Sequence, residues 1–144
     1  MDRLNECFQT FMREDGFLMK IIEEEEAYKY LGRLSIAPDR LIDFSLLIPK
    51  SPDTEVVQIV FDKLGIQDQN HSREEWLEFI NQMNLEHGIH YYFCLKEDGS
   101  IFARYVLPIR PSNVSLIYDL IRVGSGVIRR FIDEMEERFL VNQE

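Results

Sequence analysis

The sequence predicts an α+β fold, an antiparallel β-sheet of about five strands packed against helices in the order α-β-β-β-α-β-β-α. Apolar residues recur at helical spacing near the start, in the middle and at the end of the chain. Between the first two of these segments, apolar and polar residues alternate as half-buried strands require. Between the last two, Asp98-Gly99 separates a pair of β-rich runs as a hairpin turn does. With 144 residues the chain reads as one domain, 1–144, long enough to bury roughly 70% of its unfolded surface.

Residues 2 to 14 form the first predicted helix, with Leu4, Cys7, Phe8, Phe11 and Met12 on one side, Asp2 able to cap it and Asp15-Gly16 ending it. Phe17 to Ile22 is β-prone and runs into Glu23-Glu24-Glu25-Glu26. A buried strand would turn two of those carboxylates inward, so the run belongs at a strand end, an edge or a turn. An acidic docking patch or a weak divalent site is the sharper reading, and a solvated charge run the commoner one.

Tyr28, Tyr30, Leu34 and Ile36 alternate with Lys29, Arg33 and Ser35, a strand pattern broken only by Gly32. Pro38-Asp39 turns the chain, and Ile42, Phe44, Leu46 and Ile48 repeat the alternation up to Pro49. Residues 51 to 66 admit two readings. Ser51-Pro52-Asp53 would start a helix with Val57, Val60, Phe61 and Leu64 on one face, whereas the β-branched density of Val56 to Phe61 favours a strand. The strand is the expectation, with a loop over Asp68 to His71.

Ser72 and Glu75 make a capping box for the central helix, whose stripe is Trp76, Phe79, Ile80 and Met83. Gly88 stands where the chain can leave through a left-handed residue. For the hairpin, a three-residue Glu97-Asp98-Gly99 loop places Leu95 opposite Ile101, Phe93 opposite Ala103 and Tyr91 opposite Tyr105. The other side then carries Lys96 with Ser100, Cys94 with Phe102 and Tyr92 with Arg104. A two-residue turn would mix charged and apolar residues on both faces, so the longer loop is preferred. Pro111 and Ser112 introduce the last helix, whose period from Leu116 or Ile117 to Phe139 carries straight through Gly124-Ser125-Gly126. Small residues there predict a kink or a close approach to the sheet or to a second copy. They do not make a phosphate loop, since no strand precedes them and the Lys-Ser/Thr of a Walker sequence is missing.

Trp76 to Asn84, followed by Tyr91 to Ile101 with its Asp98-Gly99 turn, resembles the YbjN family, which has the architecture of type III secretion chaperones. The resemblance covers about a third of the chain residue by residue, through a helix ending in Asn and a strand–Asp-Gly–strand unit. It implies helices on one face of the sheet, and no reaction, cofactor or catalytic residue. It further implies a chaperone-like adaptor or regulator that binds a protein client, and it is compatible with a homodimer through the last helix.

Sixteen Lys and Arg against 26 Asp and Glu leave a net charge of −10, which disfavours nucleic acid and anionic membranes as partners. It suits simple solubility or the reception of a basic segment. No apolar run approaches the ~20 residues of a membrane span, and Met1 to Glu6 lacks the features of a signal peptide. Cys7 and Cys94 sit among apolar neighbours, and two buried thiols fit a reducing, cytoplasmic setting.

The soft ligands His71, His87, His90, Cys7 and Cys94 lack the close pairing of zinc sites, and Cys94 has no neighbouring base in sequence. No catalytic, cofactor or metal residue is therefore assigned. Asn84 is expected to cap backbone. Tyr92, Phe102 and Arg104, on the second hairpin face, are the candidate partner contacts, because they combine aromatic and arginine character. The alternative function is a small-ligand sensor with a pocket between the C-terminal helix and the sheet, lined by Gly124 to Gly126.

Overall fold

A computed structural model describes residues 3–15, 19–50 and 56–140. The elements are α1 (Arg3–Glu14), β1 (Lys20–Glu23), β2 (Ala27–Ala37), β3 (Arg40–Pro49), β4 (Val56–Ile66), α2 (Arg73–Glu86), β5 (Tyr92–Leu95), β6 (Ser100–Pro108) and α3 (Ser115–Met135). A 3₁₀ turn over Pro111–Asn113 leads into α3, and a π turn over Glu136–Leu140 ends it.

The strands form one antiparallel sheet of six, in the order β1-β2-β3-β4-β6-β5. The α+β class thus holds, with six strands where about five were expected. The additional strand, β1, takes Lys20 to Ile22 of the β-prone stretch together with Glu23, a four-residue edge paired to β2. Glu24 to Glu26 follow it as an exposed turn, as the cost of burying carboxylates requires. The ambiguous stretch is strand β4, bulged between Phe61 and Gly65 where Lys63 takes a φ of 56°. The expected cap Asp2, the expected helix end at Gly16 and the Ser51-Pro52-Asp53 of the alternative helix reading lie outside the described residues.

Alternation sorts the strand residues onto two faces. Tyr30, Phe44, Leu46, Ile59, Phe61, Ala103 and Phe93 lie buried on the inner one. The three helices pack there. Phe8 of α1 meets the Tyr30 ring edge-on at 5.0 Å, and the Tyr30 hydroxyl donates to buried Asn5. Phe131 of α3 stacks on Phe93 at 4.3 Å. In α2 the whole predicted stripe is buried, and Trp76 stacks on Phe139 with ring centres 3.8 Å apart. Ser72 caps α2 by accepting from the Glu75 amide at 3.1 Å.

α3 passes unbroken through Gly124-Ser125-Gly126, and the close approach expected of these small residues is made at Gly124. A methyl group on Gly124 would lie 2.7 Å from the Tyr91 hydroxyl and 2.8 Å from the Phe61 ring, whereas one on Gly126 would meet nothing within 4 Å.

Gly88 departs from expectation. It does not adopt positive φ, and the helix closes instead at His87, with His90 taking the left-handed conformation at φ 65°. Glycine is needed at 88 for space, since a Cβ would come within 2.7 Å of the Tyr91 carbonyl oxygen and 3.0 Å of that of Asn84. Cys7 and Cys94 are free and half-buried, not fully buried as expected, Cys94 because it alternates with Phe93 and so lies with Phe102 on the face away from the core.

Candidate partner-binding face

The outer face of the sheet carries no helix among the described residues. Hairpin register places the three candidate contacts on it. Gly99, at φ 91°, closes the Glu97–Gly99 loop, with its amide donating to Lys96 O at 3.0 Å and the Lys96 amide to Ser100 O at 2.8 Å. That loop sets Tyr92 opposite Arg104, Phe93 opposite Ala103, Cys94 opposite Phe102 and Leu95 opposite Ile101, as the sequence predicts. Asp98 steadies the turn by accepting from the Ser100 amide at 2.9 Å and from its hydroxyl at 2.6 Å.

Tyr92 and Arg104 form a unit. The guanidinium lies 5.2 Å from the ring centre and its Nε donates to the phenol oxygen. Phe102 is half-buried on the same face, with the Lys96 ammonium 5.3 Å from its ring centre. A planar cation, a phenol and a phenyl ring are thus held on two adjacent strands, with Tyr92 36% exposed. The half-buried Leu31, Leu47, Val56 and Val60 and the exposed Val106 continue this face across the sheet. These residues extend the candidate surface beyond the hairpin. Their signal was present in the apolar residues that interrupt the polar side of β2, β3 and β4. A shallow hollow of about 310 Å³ opens there between Leu31, Leu41, Val60 and Asp62.

The other candidate groups do not converge. His71 donates from Nδ1 to Asp68 at 2.9 Å, His87 lies 3.7 Å from the Glu86 carboxylate, and His90 stacks on Tyr105. No group of three or more metal-ligating side chains occurs among the described residues. Burial pushes the Cys94 thiol up, against the opposing pull of Arg104, which leaves it a poor thiolate. Gly124 is filled over by Tyr91 and Phe61, so the space imagined for a ligand under α3 is occupied by side chains at that point.

Asp68 gathers the Trp76 indole at 3.2 Å together with the His71 ring and amide. Burial raises its carboxyl, but these hydrogen bonds and the His71 charge outweigh burial and hold it below the usual carboxylate range. The cluster fixes the loop before α2 and has a structural role.

No helix among the described residues is long and apolar enough to cross a membrane. Compared with family models, with curated proteins and with solved structures, the chain has no significant match in any of the three.

Proposed function

We propose that this chain is a non-catalytic, cytoplasmic protein-interaction domain, a chaperone-like adaptor or regulator that receives a protein partner on the open face of its sheet. The observation that carries this reading is the asymmetry of the sheet. Its helices share one face, while the other presents Tyr92, Phe102 and Arg104 beside a band of half-buried aliphatic residues. Aromatic and arginine side chains in such a setting are the residues from which binding hot spots are built. The resemblance of 76–84 and 91–101 to the YbjN family points the same way.

The test is affinity capture with a tagged copy from its own cell, against a Tyr92→Ser/Phe102→Ser variant. One dominant partner should be retained by the natural sequence and reduced ~10-fold or more by the variant. The thermal transition should move by only a few degrees, because Tyr92 and Phe102 lie outside the buried core. Equal capture by both proteins would refute the assignment of this face.

A further inference from the structure

The sheet has two edges, and the chain treats them differently. At β5 the outward-directed peptide of Phe93 is occupied on both its N–H and C=O by Asn84. At β1 the Glu24 amide donates to the Ala27 carbonyl at 2.9 Å, so Glu24, Ile22 and Lys20 are the residues whose peptides face β2. Alternation then directs the N–H and C=O groups of Ile21 and Glu23 away from the sheet. Ile21 and Ile22 are 41% and 37% exposed, and no described strand lies beyond them.

We propose that β1 pairs antiparallel with β1 of a second copy, joining the two sheets into one. The available hydrogen-bonding groups belong to odd-numbered residues. Odd must therefore face odd, which also brings the helix-free faces of the two copies to the same side. Charge then chooses among the allowed registers. Centring on Lys20 opposes lysine to lysine, and centring on Glu23 opposes glutamate to glutamate. Centring on Ile21 leaves Lys20 opposite the partner's Ile22.

Centring on Ile22 resolves all of this. Ile22 meets its own copy, Ile21 and Glu23 exchange backbone hydrogen bonds, and Lys20 stands opposite the partner's Glu24 at both ends. Lys20 and Glu24 are exposed and face the same side of the sheet, while Glu23 is engaged by Lys50 of its own chain at 3.2 Å. The pairing is short, so the dimer is weak and forms with concentration.

Two experiments test it. In the Ile22-centred register the two Ile22 residues form a non-hydrogen-bonded pair with Cα atoms about 4.5 Å apart, within reach of a disulfide. Ile22→Cys should therefore oxidise to a covalent dimer well above the background set by Cys7 and Cys94. Ile21→Cys, which faces the partner's Glu23, should not. In light scattering over a dilution series, Lys20→Glu and Glu24→Lys should each weaken association at least tenfold, and the double exchange should restore it. A natural chain that stays monomeric throughout, Ile22→Cys no faster than Ile21→Cys, or a double exchange that stays apart would each overturn the proposal. All four positions are exposed, so an unchanged thermal transition verifies that every variant is folded.

Discussion

The side-chain amide of Asn84 pairs with the peptide of Phe93 as a neighbouring strand would, its Nδ2 donating to Phe93 O at 3.1 Å and its Oδ1 accepting from Phe93 N at 2.7 Å. One residue near the end of α2 thereby closes part of the β5 edge. It also ties the central helix to the hairpin that follows. Edge strands need such cover, since bare N–H and C=O groups invite pairing with other chains. The same arrangement makes β1, and not β5, the open edge.

Replacing Asn84 with Ala should lower stability by about 1–2 kcal/mol, because two backbone groups lose their partner at a site that water still reaches. The check is a denaturant titration together with hydrogen exchange at the Phe93 amide, which should quicken selectively. Unchanged protection at Phe93 would show that α2 covers the strand without this amide.

The two glycines of α3 should respond in opposite directions. Gly124→Ala forces a methyl group against the buried Tyr91 and Phe61 rings, and overpacking of this kind costs about 1–3 kcal/mol, more than the gain in helix propensity. Gly126→Ala meets open space and should stabilise by about 0.5–1 kcal/mol. Thermal melts of the pair decide it, and equal shifts would mean that α3 does not press on the sheet at Gly124.

Much of this was legible in the residues because it is local. The loop ending in Gly99 carries enough turn chemistry to set the register of β5 and β6, and so to bring Tyr92 opposite Arg104. What stayed hidden depends on tertiary choices. The partner of Asn84 is nine residues on and exists only once α2 lies along the edge of β5. Leu31, Leu47 and Val60 share an open face only because all three helices choose the opposite one. The pairing of the β-prone stretch with β2 is not written in its residues, since Glu23 to Glu26 suit a strand end, an edge or a turn equally, and the crowding of Gly88 by Tyr91 and Asn84 looks, in sequence, like a need for positive φ.

Asp68 predicts the acid behaviour of the loop before α2. Its folded carboxyl sits below the ordinary value, so its contribution is present above about pH 3.9, the unfolded value. It is lost as pH falls through the lower folded value. Asp68→Asn should therefore be less stable than the natural chain at pH 6, with the gap closing toward pH 3. Denaturant midpoints at the two values measure it, and the emission of Trp76, the chain's one tryptophan, reports the loop directly. A gap that persists unchanged at pH 3 would assign the effect to shape and not to charge.

Alkaline unfolding should be governed by buried tyrosines. Burial pushes the Tyr30 phenol from about 10 up to about 12, and burial, with Tyr105 alongside, raises Tyr91 as well. A raised folded-state value means that the native state holds its proton more tightly than the unfolded chain does. The stabilisation is complete below pH 10 and is lost as pH climbs toward the folded value, because only the unfolded chain gains from ionising there. Both hydroxyls also donate hydrogen bonds that ionisation would remove, Tyr30 to Asn5 and Tyr91 to Leu120 O at 2.9 Å. The tyrosinate absorbance of Tyr30 and Tyr91 should therefore rise together with loss of structure. Tyr30→Phe keeps the ring against Phe8 and removes the titrating group, so its alkaline transition should move upward while stability at pH 7 falls by about 1 kcal/mol for the lost hydrogen bond to Asn5. A transition that stays in place would assign the alkaline limit to Tyr91.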